Sequence, residues 1–392
     1  MSVRRRLVRS VAAVVALALV AGCGGSAGRQ PHLGQTIRIG LNLEQSGELA
    51  WYGDSALKGV QVAVDAVNAA GGIDGRPIEM VVADNGSQPG RTVVLSAQMM
   101  SQDKALAVLG PVTENLFRAT ATVADRHEIV AVSTLACSSE VLAMTKQAPH
   151  PYLFRSCLGY RQHGAAMANF AVDELDARTA VVLRFTEGAY ANFAEGFSER
   201  FSAAGGQVVT DDVILPDDTD LWRYAARLVE APADVVYVAA PPWETGHLIA
   251  QLRESGLAQP VLGIDELDDP ALLEAAGAGA LNRVYFSTDY APWDTGSPRL
   301  AQYIESYRNT WDGADPSRSS ALAHDATLMI IEAIRRAREP TGVEVQRAMV
   351  ETQGLSGVTG RLRVTSDHET IKDALVVELV DGAPTAVTPV AP

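Results

Sequence analysis

The 392-residue chain is poor in cysteine, with three, and in aromatic residues, at 6 %. So few cysteines exclude a disulfide-dense small domain. Basic residues are short too: Lys+Arg 32 stand against Asp+Glu 47, for a formal net charge of −15. That balance argues against a nucleic-acid binder, because nothing would neutralise a row of phosphates. No internal stretch approaches the roughly 18 consecutive apolar residues of a membrane span, which excludes a multi-pass membrane protein. Enzyme signatures are also missing. There is no Gly-x-Ser-x-Gly elbow, no Gly-x-x-x-x-Gly-Lys loop and no Gly-x-Gly-x-x-Gly after the first strand. The histidines show no metal spacing, and Asp217, Asp218 and Asp220 lack the glycine and distal Glu of an EF-hand, so they read as a helix cap. No metal, no cofactor and no catalytic residue are expected.

What is present is a globular composition, 47 % hydrophobic and 20 % charged, in a chain long enough for two domains. The N-terminus stands apart. Arg4, Arg5, Arg6 and Arg9 precede a short apolar run, Ser10 to Val20, and then Val20-Ala21-Gly22-Cys23. A basic start, an apolar core and small residues before a cut mark a secretory signal. The cysteine after Ala-Gly resembles a bacterial lipobox, in which Cys23 carries lipid; the alternative is a plain signal peptide with an incidental cysteine. Residues 1–22 are thus expected to be a lipoprotein signal and 23–35 a polar tether. Cys23 would then hold the acidic body at the extracytoplasmic face of the cell membrane.

From Thr36 the chain alternates strands with helices. Strands are expected at Ile37 to Leu41, Ile78 to Ala83, Ala105 to Leu109 and Ile129 to Ser133, with helices over Asp54 to Ala70, Arg91 to Gln102 and Leu116 to Arg126. After a break at Pro149 to Arg161 a second series follows. Its strands are Ala180 to Phe185, Val208 to Leu215, Val235 to Ala240, Pro260 to Ile264 and Arg283 to Ser287. Helices over Arg299 to Trp311 and Ser319 to Arg338 precede end strands Gly360 to Val364 and Ala374 to Leu379, and the tail 383–392 reads as loose. Continuous apolar runs such as Ala-Leu-Ala-Val-Leu suit strands buried on both faces of a parallel sheet. The expected fold is therefore α/β, two similar lobes around a cleft, with ligand-bearing residues just after the strands.

The segment Ser46-Gly47-Glu48-Leu49-Ala50-Trp51-Tyr52-Gly53-Asp54 is followed by Asn68-Ala69-Ala70-Gly71-Gly72-Ile73-Asp74-Gly75. It resembles the opening of the leucine/isoleucine/valine-binding family, the type I periplasmic binding proteins of ABC importers. Leu109-Gly110-Pro111-Val112 is similar to that family's third strand and loop. Pro151 to Ser156 and Gly357-Val358-Thr359-Gly360 resemble its lobe crossovers. The resemblance runs from Thr36 to about Gly382. It implies two Rossmann-like lobes joined by a three-strand hinge: an N-lobe of 36–156 plus about 289–357, and a C-lobe of 157–288 plus about 358–382. It implies further a monomer that hands a small polar solute (an amino acid, amide or amine) to ABC permease and ATPase subunits. The alternative is a sensory lipoprotein of the same fold that reports a ligand to a membrane receptor.

Carried onto these positions, the resemblance implies a set of ligand-binding residues. Tyr52 would lay a rigid ring against the ligand, or stand as a surface aromatic beside the turn. Thr113 and Glu114 open a helix whose free N–H groups would take an amino acid's carboxylate. Glu114, where the family has a hydroxyl, would repel such a group unless it turns away, or merely favours the helix start. Leu135, Ala136 and Cys137 follow a strand where the family offers backbone groups and a hydroxyl, which Cys137 replaces. Tyr190 could close on the ligand from the second lobe, Trp243 would line the cleft or pack on a helix, and Arg184 could attract a carboxylate. Asp265 would meet the ligand's ammonium or act as a helix-start acid. Asp265 and Glu114 together call for a ligand with cationic or amide N–H donors. Cys137 and Cys157, the cysteines of the mature body, are expected to pair in an exported protein, the alternative being two separate buried thiols.

Overall fold

A computed structural model describes residues 36–145, 148–186, 188–215, 222–230, 233–294 and 296–392. Cys23, the expected signal segment and tether, and Asp217, Asp218 and Asp220 lie outside these residues.

The first lobe opens with β1 (Ile37–Leu43), α1 (Ala50–Ala69), β2 (Ile78–Asp84), α2 (Pro89–Ser101), β3 (Ala107–Leu109), α3 (Glu114–His127) and β4 (Val130–Ser133). A short helix α4 (Ser139–Leu142) and the pair β5 (Ala143–Thr145) and β6 (Ala148–Pro149) lead to β7 (Leu153–Arg155). The sheet is wholly parallel, in the order β2-β1-β3-β4-β7. All three residues of β3 and all four of β4 are buried, as continuous apolar runs require.

The second lobe runs α5 (Tyr160–Asp173), β8 (Thr179–Arg184), α6 (Ala189–Ala203), β9 (Gln207–Val213), α7 (Trp222–Glu230), β10 (Val235–Ala239), α8 (Pro242–Glu254), β11 (Val261–Gly263), α9 (Pro270–Ala276) and β12 (Val284–Thr288). The chain then crosses back to lay α10 (Pro298–Thr310), α11 (Arg318–Arg336) and α12 (Gly342–Val350) on the first lobe. Three short strands follow, β13 (Leu355–Ser356), β14 (Arg361–Val364) and β15 (Thr370–Ile371). The chain ends with β16 (Ala374–Val380) and β17 (Ala383–Val390). The second sheet has the order β17-β16-β12-β11-β10-β8-β9, parallel except for β16 and β17.

The structure corrects four expectations. The break at Pro149 to Arg161 gives way to β7 and the long helix α5. That helix packs through small residues rather than an apolar stripe: a Cβ on Gly164 would lie 2.1 Å from the Phe193 carbonyl, and one on Gly196 2.0 Å from that of Arg161. Helices α9 and α12 were likewise unannounced. The tail is not loose, because β17 covers the free edge of β16 and its Val387 and Val390 pack on the cores, with Pro384 and Pro389 tolerated on an outer strand. The last crossover lies later than Gly357. Leu362 and Val364 belong to the first lobe's core, and His368 stacks on Phe154 at 4.3 Å. The chain therefore changes lobe between Ile371 and Ala374, and residues 358–371 sit with the first lobe. In that lobe α1 and α11 meet backbone to backbone at Gly59, whose Cβ would fall 1.9 Å from the Ser320 carbonyl.

Candidate functional site

A cleft of about 840 Å3 separates the lobes. One wall is built from helix starts of the first lobe: Trp51 and Tyr52 on α1, Thr113 and Glu114 on α3, and Ser317 to Ser319 at α11, with Leu135 and Cys137 after β4. The other carries Tyr160 at the start of α5, the acidic run after β11 (Asp265, Glu266, Asp268 and Asp269), and Trp293, while Tyr290 at the second crossover packs with the first lobe.

Of the expected residues, Tyr52, Thr113, Glu114, Leu135, Cys137 and Asp265 line the cleft. Tyr52 meets Trp51 edge to face at 5.1 Å, and its carbonyl accepts from Ser319 Oγ at 3.3 Å. Glu114 is already answered: its Oε1 accepts from Arg118 Nη2 at 3.0 Å and from Ser138 Oγ at 2.7 Å. Cys137 faces the cleft as half of a disulfide with Cys157, Cα to Cα 5.9 Å, so the pair expected from the sequence is formed and no free thiol replaces the family hydroxyl.

Four expected residues do not line the cleft. Ala136 is fully buried behind its neighbours. Tyr190 packs on Phe185 and reaches the site only by donating its hydroxyl to Glu266 Oε2 at 3.3 Å. Trp243, 49 % exposed, stands against the edge of His247 at the start of α8. Arg184 is spent on Asp211 at 2.8 Å, because the parallel register of β8 and β9 sets Arg184 opposite Val213, two residues along the strand from Asp211.

Two further corrections concern charge. The α3 start was expected to take a ligand carboxylate, yet a carboxylate of the protein already takes the two N–H groups just before it. Glu44, fully buried just after β1, accepts the Val112 N–H at 3.1 Å on Oε2, and the Thr113 N–H and hydroxyl at 3.1 and 3.0 Å on Oε1. The Asp265 carboxylate, in turn, is not free for an ammonium. Arg318 reaches across the cleft and places Nη2 2.5 Å from Asp265 Oδ2 and 2.7 Å from Asp289 Oδ2. Asp289 also accepts from Lys372 Nζ at 2.8 Å and from the Leu158 N–H at 3.3 Å, so one carboxylate ties all three crossovers. Burial by itself would raise the Asp289 carboxyl, but Lys372 and Arg318 outweigh it and hold it well below the usual range. The opposite holds along the wall. Desolvation in the cleft, and then the Asp265 charge, pushes the Glu266 carboxyl up to about 7. Asp268 is raised by the same burial.

Among the described residues, His163, Asp265 and Asp289 form the one group with metal-ligand spacing. The same two Oδ2 atoms already share the Arg318 guanidinium, so a cation of the protein fills that position.

Residues 36–384 match the family model for periplasmic binding proteins. The chain belongs to this family. Leu/Ile/Val-binding protein homolog 1 of Brucella melitensis is 25 % identical over 352 residues, 89 % of this chain and 90 % of that one. An amino acid binding protein of Pseudomonas aeruginosa is 25 % identical over 250 residues, 64 % of this chain and 66 %, just under two thirds, of its own length. Among solved structures, the branched-chain amino acid transporter substrate binding protein LivJ of Streptococcus pneumoniae, in complex with isoleucine, is 28 % identical with a TM-score of 0.70, covering 91 % of this chain and all of that one. Members of this family are solute-binding proteins and not enzymes. The two-lobed α/β architecture is the family's.

The sequence reading of this periplasmic binding protein missed Glu44, Arg318, Asp289 and Lys372. Glu44 and Asp289 directly follow strands β1 and β12, where ligand-facing groups were sought, so that signal was available. Arg318 comes from a helix start on the opposite lobe, and Lys372 from the last crossover. Nothing local in the sequence singles out either.

Proposed function

We propose that the protein is the solute-binding component of an ABC importer and takes a small polar solute of amino acid, amide or amine type into the cleft between its lobes. It works as a monomer, held at the extracytoplasmic face of the cell membrane by lipid on Cys23, and passes its solute to permease and ATPase subunits. The observation that carries the reading is the cleft itself. Its walls come from different lobes, meet through Arg318, and are joined at crossovers gathered on Asp289, an arrangement suited to hinge closure. The amino-acid specificity named for the Brucella and Streptococcus relatives supports the solute class. Native mass spectrometry of the purified protein, followed by calorimetry with the released molecule, tests the reading. One small solute per chain, bound again after removal, is expected; a protein that carries and rebinds nothing overturns it. Fractionation tests the anchor. Cys23→Ala should release the protein from membranes or block its maturation, and a variant that is cleaved normally and stays with membranes would overturn the lipid.

A further inference from the structure

We infer that the cleft selects a solute with a cationic nitrogen and no free carboxylate, and that Glu44 is the residue that keeps the carboxylate out. This rests on the solute-binding reading above and names the chemistry it would serve.

The first ground is the start of α3. Exposed N–H groups at a helix start are a natural seat for an anion. Here the N–H groups of Val112 and Thr113 and the Thr113 hydroxyl are all donated to the two oxygens of Glu44. Glu44 is locked in place as well as bonded. Helix α1 presses on its backbone at Gly53, where a Cβ would lie 2.2 Å from the Glu44 carbonyl, and its side chain has no exposed surface. A solute carboxylate seeking those donors would have to expel a buried glutamate or sit beside it. Two carboxylates held together away from water repel strongly.

The second ground is the charge balance of the cleft, whose acids lie mostly on the opposite wall. Five carboxylates line the cleft, Glu114, Asp265, Glu266, Asp268 and Asp269, against one basic side chain, Arg318. Arg318 divides one nitrogen between Asp265 and Asp289, and Glu114 has Arg118. Among the described residues, Glu266 receives a tyrosine hydroxyl but no ion pair, and Asp268 has neither. A cation entering the cleft supplies the missing positive charge. Tyr52, Tyr160, Tyr290 and Trp293 also line the cleft, and aromatic side chains attract a cation and cover its hydrocarbon part. The two grounds concern opposite walls and opposite ends of an amino acid. The acidic wall suits its ammonium, and the Glu44 carboxylate, held just before α3, meets a carboxylate at that helix start with like charge.

The test is calorimetry on the whole mature protein, freed of bound solute by unfolding and refolding, with four probes of one side chain: leucine, leucinamide, 3-methylbutylamine and 4-methylpentanoate. Leucinamide or 3-methylbutylamine is expected to bind at least tenfold tighter than leucine, and 4-methylpentanoate not at all. In Glu44→Ala, checked for folding by circular dichroism, the preference for leucinamide over leucine should fall at least tenfold. Leucine binding as tightly as the two amines in the wild type overturns the inference and leaves the solute-binding reading standing. Binding of none of the four, with no solute retained by the purified protein, overturns both. Should Glu44→Ala not fold, the wild-type ranking of the four probes still decides the matter.

Discussion

Two sets of carboxylates lie next to each other in this molecule and behave in opposite ways. At the hinge, Asp289 is met by Lys372, Arg318 and the Leu158 N–H. Asp325 nearby takes the N–H groups of Val358 and Thr359 together with the Thr359 hydroxyl, and Arg155 pairs with Glu369. For both aspartates burial works to raise the carboxyl, and the neighbours reverse it, leaving each low. Along the C-lobe wall, Glu266 and Asp268 are raised instead, by burial that Arg318 offsets only in part. The lesson is one of matching. Carboxylates whose partners are built into the fold hold the lobes together. Carboxylates left short of positive charge are what the cleft presents to a solute.

The largest expected effect breaks the matched set. Lys372 and Asp289 are both fully enclosed, and removing one partner of such a pair costs about 3–5 kcal/mol. Lys372→Met should lower the unfolding free energy read from a guanidinium melt by that much, and a loss under about 1 kcal/mol would erase the contrast between the two sets. Next comes the neutral link at the same crossover. The Cys137–Cys157 bridge closes a separation of 20 residues, so the double Cys→Ser variant should lose about 3 kcal/mol in a denaturant melt. An unchanged melt would show that the ion pairs carry the hinge alone.

Asp265 sharpens the comparison because it belongs to both regions, paired with Arg318 yet lining the cleft. Asp265→Asn leaves Arg318 its bond to Asp289, so stability should fall less than in Lys372→Met. Affinity for a cationic solute should drop about tenfold, roughly 1.4 kcal/mol, through the negative charge lost beside the cleft rather than through a lost direct partner. The reverse pattern, lost stability with intact affinity, would assign Asp265 to the hinge.

The smallest effect is on pH. Glu266, faced by Tyr190, Asp265, Asp268 and Arg318, with Glu244 beyond Tyr190, titrates near 7. A cationic solute favours its ionised form, so affinity should rise a few-fold as pH is raised from about 6 to 8, and Glu266→Gln should flatten the curve. The stability signs of the two sets also oppose. A carboxyl raised on folding holds its proton in the folded state, so its contribution falls as pH rises from the ordinary carboxylate range to about 7. Asp289, lowered on folding, contributes above the ordinary range and loses that contribution as pH falls through it.

Much of this was legible in the sequence. The buried runs of β3, β4 and β10, the glycine-marked helix end before Ile73 and the two cysteines led to a two-lobed α/β fold, a family and a disulfide. Each is a local pattern, written within a few residues and set by burial and backbone sterics. Helix α5 escaped because its neighbours press on it through glycine and alanine from both sides, which leaves no stripe to read. Strand β17 escaped because the free edge of β16 makes it a strand, and that edge exists only after folding. In the cleft, the sequence supplied part of the lining: Tyr52, Thr113, Glu114, Leu135, Cys137 and Asp265 do line it. Only the tertiary structure decided the pairing. It brought Arg318 to Asp265 across 53 positions and set Glu44 on the donors of Val112 and Thr113 across 68 and 69. Charges act through space and with a strength that depends on what surrounds them. The fold creates both the distance and the surroundings, and so it decided which carboxylates hold this protein together and which are left for its solute.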